Sequence, residues 1–136
     1  MSPFRWCVIG PGNQGRKHIE SLGESCTVVV DAVDISSGVR AVLDQRHRFD
    51  IAVVASPEDT KPSYVEALLG EGKHVLVEKP LPLSHRNFLK FSALSAKNNV
   101  LVRTSYDHQF DDGIREFVAH CAHRAEQASW ASLAGN

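Results

Sequence analysis

This sequence of 136 residues predicts an α/β fold, in which a doubly wound parallel sheet is covered by helices on both faces. Strand-like and helix-like segments alternate along the chain, which is the pattern typical of parallel sheets. The apolar runs 51–54 and 75–77 are continuous rather than alternating, as expected for strands buried on both faces. A glycine-rich turn joins the first strand to the first helix, and such turns are typical of this class.

Each predicted element has local support in the sequence. Pro62 suits a first helical turn, where its missing N–H breaks no hydrogen bond, and Ser84 is a natural N-cap. Gly70 and Gly72 end the helix that contains Pro62. We therefore expect helices near residues 14–22, 39–46, 62–71 and 85–98, and strands near residues 5–9, 27–33, 51–55, 74–77 and 100–105.

The segment GPGNQG, residues 10–15, has the spacing G-x-G-x-x-G at a strand-to-helix junction. In this context the first glycine allows a tight turn, the second leaves room for a pyrophosphate, and the third lets helix and strand pack closely. The N–H groups and the positive dipole end of the helix would bind the phosphates. The motif therefore predicts a dinucleotide site that includes Gly10, Gly12, Asn13, Gln14 and Gly15.

An acidic residue about 20 residues beyond the glycine motif would accept a hydrogen bond from the adenosine ribose 2′-OH. Asp34 and Asp31 are both candidates near the end of the predicted strand 27–33, and we favour Asp34. A carboxylate there repels a 2′-phosphate, so it favours NAD over NADP as the cofactor. Alternatively, residues 27–33 are the third strand of the dinucleotide-binding fold, and the second strand with its aspartate is missing.

The composition argues against several classes of protein. The 15 basic and 16 acidic residues provide no basic surface for nucleic acid or for an anionic membrane. No apolar run approaches the ~20 residues that span a bilayer, and the N-terminus lacks the layout of a signal peptide. The three cysteines, Cys7, Cys26 and Cys121, have no C-x-x-C spacing. We therefore expect a cytoplasmic protein with reduced thiols and no metal site.

Three further segments resemble the glucose-fructose oxidoreductase / inositol dehydrogenase / MocA (Gfo/Idh/MocA) family. They are FDIAVVASP at 49–57, GKHVLVEKP at 72–80 and SYDHQFD at 105–111. The second is similar, nearly letter for letter, to the family signature that contains E-K-P, and the third to its G-Y-N-x-R-F-x-P segment. His18, three residues after Gly15, also fits the family pattern. The resemblance covers residues 4 to about 117 and is to the N-terminal NAD(P)-binding Rossmann domain.

The resemblance implies an oxidoreductase that uses NAD on sugars or cyclitols. In relatives the lysine of E-K-P lies beside the nicotinamide and the substrate hydroxyl, which makes Lys79 the catalytic candidate. Glu78 would orient or pair with Lys79. The residues beyond the glycine motif that the resemblance implies at the cofactor are Ser56, Pro57, Glu78, Lys79 and Pro80.

Several departures from the family leave the activity open. Family members are more than twice as long, because a second α/β domain holds the substrate and carries the catalytic Asp/His helix. We expect a dinucleotide-binding domain at 1–110 and a helical tail at 111–136, without that second domain and with a sheet shorter by about one βα unit. Lys61 stands where the family often has His, and Gln109 where it usually has Arg. A non-catalytic module that binds a nucleotide or a protein, and a piece of a longer chain, are the alternatives to an enzyme.

The tail has a helical pattern with one apolar stripe. A single α/β layer without its second domain exposes an apolar face, and twofold pairing is the commonest way to bury such a face. We therefore expect a homodimer that uses the tail helix, the sheet surface, or both. The alternative is a tail that folds back on its own sheet. The stripe contains Ile114, Phe117, Val118, Cys121, Ala125 and Ala128.

Overall fold

The computed structural model describes residues 3–31, 35–106, 112–116 and 119–120. The chain divides into two compact units, Met1–Ser105 and Tyr106–Asn136. The first unit contains the sheet. In the second unit residues 112–116 are helical, as the sequence predicts. The members of the apolar stripe from Phe117 onwards lie outside the described residues.

The first unit contains each strand and helix that the sequence predicts between residues 5 and 105. The strands are β1 (Trp6–Ile9), β2 (Cys26–Val30), β3 (Ile51–Val54), β4 (His74–Glu78) and β5 (Val102–Ser105). The helices are α1 (Asn13–Leu22), α2 (Ile35–Asp44), α3 (Lys61–Gly70) and α4 (His85–Asn98). Pro62 lies in the first turn of α3. The Ser84 hydroxyl caps α4 by accepting a hydrogen bond from the Asn87 N–H at 3.1 Å.

The strands form one parallel sheet in the order β2-β1-β3-β4-β5. The chain runs from β1 to β2 on one side and then returns to β3 on the other side of β1. Because right-handed crossovers in opposite directions lie on opposite faces of a sheet, α1 covers one face and α2, α3 and α4 cover the other. This is a doubly wound Rossmann-like fold, whose described part has one strand fewer than the six of the usual order.

The main hydrophobic core lies between the sheet and helices α2 to α4. Cys7 and Ile9 of β1 share it with Tyr64 and Leu68 of α3, and all four are at most 1% exposed. On the opposite face Val8 is also fully buried, because α1 packs over it. Each aliphatic side chain buried in this way contributes about 1.5–3 kcal/mol. Burial on both faces explains why the strands are continuously apolar.

Helix α2 begins at Ile35, earlier than predicted, and therefore contains Gly38. The sequence places the start of this helix at residue 39, and glycine disfavours a helix interior by about 1 kcal/mol. Gly38 is buried, and a Cβ at this position would overlap the phenol oxygen of Tyr64 in α3. Close packing of α2 on α3 therefore requires a glycine here and outweighs its low helix propensity.

Arg5 and Asp50 join the segments that lead into β1 and β3. The Arg5 guanidinium donates from Nη2 to Asp50 Oδ1 at 2.8 Å and from Nε to Oδ2 at 3.2 Å. The Arg5 N–H also donates to Oδ2 at 3.0 Å. These hydrogen bonds lower the pKa of Asp50 from 3.8 to about 2. The hydrogen bonds between Arg5 and Asp50, which connect the two strands, are therefore sensitive to acid.

The sign of its pH dependence follows from that pKa. A carboxyl group with a lowered pKa in the folded state stabilises the fold above its unfolded pKa of about 4, and this stabilisation is lost as the pH falls towards 2. We expect Asp50→Asn to lower Tm at pH 7 and to have little effect on Tm at pH 2. Thermal melts of the variant and the wild type across this range measure the difference. A constant difference in Tm would contradict the assignment.

Candidate cofactor site

The loops after β1, β3 and β4 lie at the carboxyl edge of the sheet. Since β1 and β3 are neighbours whose connections run to opposite sides, the crevice between their loops is the topological switch point. The Gly10 N–H donates to the Val30 carbonyl at 2.9 Å, and the Ala55 N–H donates to the Ile9 carbonyl at 2.8 Å. These bonds extend the parallel pairing into the loops. Ligands of open α/β sheets bind at this position.

Two of the three motif glycines are required by the polypeptide itself. Gly10 has a φ of +86°, and a Cβ there would lie 2.8 Å from both the Ala55 oxygen and the Ser56 nitrogen. At Gly15, in the first turn of α1, a Cβ would overlap the carbonyl oxygen of Gly10. These are the tight-turn and close-packing roles that the motif assigns to its first and third glycines.

Gly12 has no such role within the protein. Its φ of −75° suits any residue, and a Cβ there would meet no described atom within 4 Å. Gly12 is the N-cap of α1 and provides no side-chain cap. The N–H groups of Asn13, Gln14 and Gly15 follow it, and the first N–H groups of a helix have no partner within that helix. Free N–H groups at the start of a helix are a binding site for anions such as phosphate.

A cleft of about 560 Å³ opens beside this helix start. Its lining combines the glycine loop with Ser56 and Pro57 of the β3 loop and with Asp31 at the end of β2. Asp31 is exposed, and β2 pairs directly with β1, which is the position from which an acid contacts the ribose in this fold. Asp34, the favoured ribose contact, lies outside the described residues.

The cleft also contains a cation that the sequence analysis did not assign. Arg16 of α1 lines it, and the Arg16 Nε donates to the Pro11 carbonyl at 3.2 Å. Guanidinium groups bind phosphate oxygens strongly. Arg16 directly follows Gly15, the last motif glycine, and this position is the signal by which the sequence could have identified Arg16 as a site residue.

The loop after β3 is held by buried hydroxyl groups. The Thr60 Oγ1 lies 2.8 Å from the Ser56 Oγ and 2.7 Å from the Pro57 carbonyl oxygen. Ser56 and Thr60 are 4% and 6% exposed. These contacts fix the Ser56–Pro57 backbone at the wall of the cleft.

The loop after β4 contains the predicted catalytic lysine. Lys79 is exposed, and the Lys79–Pro80 peptide is cis. Glu78, the last residue of β4, is buried, and its Oε1 lies 2.6 Å from Nε2 of His18 in α1. The family resemblance implies that Glu78 orients or pairs with Lys79, and the sequence indicates no partner for it in α1. Glu78, Lys79 and Pro80 follow the strand next to β3, on the same edge as the cleft.

Lys61, at the start of α3, is buried beneath this loop. Its Nζ donates to the Pro80 carbonyl at 2.8 Å, and only 4% of the residue is exposed. Burial lowers the pKa of Lys61, while the nearby carboxylates of Glu78 and Glu58 act in the opposite direction. In the sequence, Lys61 stands out only as a departure from the family pattern.

A parallel sheet with a G-x-G-x-x-G loop at its switch point defines a dinucleotide-binding Rossmann domain. The comparison with known families agrees: residues 27–106, well over half of the chain, match the model described as an oxidoreductase family with an NAD-binding Rossmann fold. The chain belongs to this family, Gfo/Idh/MocA. The matched region contains the β3 and β4 loops and begins after the glycine motif.

Individual relatives agree with the family. The chain is 31% identical to inositol 2-dehydrogenase of Rhodococcus erythropolis, in an alignment that covers 89% of this chain and 44% of the relative. GenD2 from gentamicin A biosynthesis, solved in complex with NAD, superposes with a TM-score of 0.61 at 26% identity over 77% of this chain and 35% of GenD2. An inositol dehydrogenase homologue from Azotobacter vinelandii, complexed with NAD+, gives 0.63 at 23% identity over 77% and 34% of the two chains. The chain thus spans less than half of these relatives.

The comparisons confirm the predicted family and NAD as the family's cofactor, and they confirm the Rossmann-like α/β fold. Among the described helices, none has the length and apolar character that crossing a bilayer requires. Within the same part of the chain, no three His, Cys, Asp or Glu side chains gather into a potential metal site.

Proposed function

We propose that the chain binds NAD(H) in the cleft beside Gly12 and forms the cofactor-binding part of an oxidoreductase acting on a sugar or cyclitol. The observation that carries this proposal is the position of Gly12: a glycine that the packing of the protein does not require is the N-cap of α1 and lines the cleft at the switch point. The phosphates would accept hydrogen bonds from the free N–H groups at the start of α1. The cyclitol class is supported by the inositol 2-dehydrogenase relative.

The strand order supports one orientation of the cofactor. Since β2, β1, β3 and β4 are adjacent in that order, adenosine at β2 and pyrophosphate at β1 direct the nicotinamide towards the loops after β3 and β4. The ribose acid is then Asp31 or Asp34. Ser56, Pro57 and Pro80 provide the wall near the nicotinamide, and Lys79 is the group that contacts it and the substrate hydroxyl.

Calorimetric titration of the purified chain with NAD, NADH and NADPH tests the proposal. We expect binding of the two NAD forms with dissociation constants below millimolar and weaker binding of NADPH. Absence of affinity for all three ligands up to millimolar concentration would overturn the proposed function, and the glycines would then form only a turn.

The acid at the end of β2 is expected to set the cofactor preference. Replacement of the ribose contact by Asn keeps the side-chain size but removes the charge that repels a 2′-phosphate. We expect Asp34→Asn to narrow the NADH:NADPH affinity ratio about tenfold, as for the loss of one charge-assisted hydrogen bond. Asp31→Asn is the matched comparison. A changed ratio in Asp31→Asn alone would assign the contact to Asp31, and unchanged ratios in both variants would exclude an acid from this role.

We also propose a twofold homodimer, which an apolar surface on the described sheet supports. A groove of about 280 Å³ crosses the face of the sheet on which α1 lies, and Phe4 and Leu101 beside it are 49% and 64% exposed. A second copy of the chain could bury these exposed apolar side chains, and twofold pairing is the commonest arrangement of such copies. Multi-angle light scattering at micromolar concentration is expected to give the mass of a dimer, and a monomer mass would contradict the proposal.

A further inference from the structure

At the carboxyl edge of the sheet, α1, β4 and α3 are joined by the half-buried His18 and by two buried charged side chains, Glu78 and Lys61. His18 belongs to α1, whose first turn faces the cleft, and its Nε2 lies 2.6 Å from Oε1 of Glu78 at the end of β4. Two residues beyond Glu78, the Pro80 carbonyl accepts a hydrogen bond from Lys61 of α3 at 2.8 Å. The Lys79–Pro80 turn is therefore held from α1 on one side and from α3 on the other.

The burial of Lys61 and Glu78 distinguishes them from charged side chains that form ion pairs elsewhere in the described chain. Lys61 and Glu78 are 4% and 8% exposed. By contrast, the side chains of the Arg46–Glu71 and Lys90–Glu66 pairs are between 42% and 53% exposed. Exposed pairs of this kind contribute little to stability. Buried charges carry a large desolvation cost and are weak stabilisers. Their clustering beside the Lys79–Pro80 turn therefore indicates that they fix the geometry of this turn rather than add to stability.

We propose that His18 and Lys61 are positioning residues that hold the Lys79–Pro80 turn in register with the glycine loop. The role rests on the proposed function, because that function places the pyrophosphate at α1 and the nicotinamide beside Lys79. His18 links these two ends through Glu78. Lys61 fixes the far side of the turn through the Pro80 carbonyl. Both residues act through the backbone and side chains of the loop and do not themselves contact the cofactor.

Comparison of two ligands isolates this role. ADP-ribose has the adenosine, both phosphates and both riboses of NADH but lacks the nicotinamide. A residue that positions the nicotinamide end should change NADH affinity and leave ADP-ribose affinity unchanged, whereas general damage to the fold weakens both. We expect Lys61→Met to reduce the NADH:ADP-ribose affinity ratio about tenfold, as for the loss of a charged hydrogen bond. The nicotinamide fluorescence of bound NADH should shift in the same variant.

A matched control and a conservative variant complete the design. Lys73 also donates from Nζ to a backbone carbonyl, that of Phe49 at 2.9 Å, but it precedes β4 at the opposite edge of the sheet. Lys73→Met should therefore keep the wild-type ratio. His18→Leu should lower the ratio, and His18→Gln should restore most of it, because the Gln amide can donate to Glu78. Lys79→Met should lower the ratio by removing the positioned group itself.

The outcomes separate this inference from the proposed function. Failure of the wild type to bind either ligand would overturn the proposed function and the inference with it. Binding of both ligands by the wild type, with ratios and fluorescence unchanged in Lys61→Met and His18→Leu, would overturn only the positioning role. Equal losses of affinity for NADH and ADP-ribose in these variants would also overturn only the positioning role. If Lys61→Met does not fold, the affinity ratios of His18→Leu and His18→Gln test the positioning role, because His18 is partly exposed and tolerates substitution better.

Discussion

Replacement of Gly12 by valine should abolish NAD binding while the fold stays intact. The φ of Gly12 suits valine, and the new Cβ would meet no described atom within 4 Å. Its branched side chain would occupy the space before the N–H groups of α1, where the pyrophosphate is proposed to lie. Loss of two charge-assisted hydrogen bonds at about 1.5–3 kcal/mol each lowers affinity at least about a hundredfold. Calorimetry with NADH measures the loss of binding, and thermal melting tests whether the fold stays intact.

Gly70 provides the matched control. It is also exposed, has no positive φ, and a Cβ there would meet nothing within 4 Å, but it lies at the end of α3. Gly70→Val should therefore bind NADH with wild-type affinity. Wild-type affinity in Gly12→Val would contradict the proposed position of the pyrophosphate. A large fall in the Tm of Gly12→Val would show that this glycine has a structural role that the geometry does not contain.

The elements that the sequence predicts well are those determined by local chemistry. The tight turn at Gly10 requires a positive φ, and the cap at Ser84 requires a hydroxyl, so both are visible in a few adjacent residues. The alternation of strands and helices then fixes the sheet, because parallel strands require crossovers. The start of α2 was misplaced because Gly38 contacts Tyr64 of another helix. Such a contact leaves no signal near residue 38.

The same distinction applies to the candidate site. The glycine loop and the E-K-P segment are contiguous in sequence and carry their own signatures. His18 and Glu78 are 60 residues apart, and Lys61 and Pro80 are 19 apart. Only the order of the strands brings these pairs together, so spacing alone could not identify them. His18 was noticed for its agreement with the family pattern and Lys61 for its departure from it, and neither observation indicated a partner.

Substitution of Gly15 should have the opposite effect to substitution of Gly12, although the two belong to the same motif. Gly15 is buried in α1, and a Cβ there would overlap the Gly10 carbonyl oxygen, a backbone atom held in a tight turn. Gly10 has little room to move, because its own Cβ position lies 2.8 Å from backbone atoms of the β3 loop. We expect Gly15→Ala to lower the free energy of unfolding by about 3 kcal/mol or more, at or above the upper end of the usual cost of overpacking.

Urea unfolding of Gly15→Ala beside Gly12→Ala tests this difference, since each variant adds one methyl group. The Gly12 variant should unfold at the wild-type urea concentration, because its methyl group enters open space. The Gly15 variant should unfold at a much lower concentration, since a loss of about 3 kcal/mol is a large part of the 5–15 kcal/mol that stabilises a typical domain. A wild-type midpoint for Gly15→Ala would show that α1 can move away from β1 without cost. The glycine loop would then be too loosely held to position a pyrophosphate, and the proposed site would lose its rigid support.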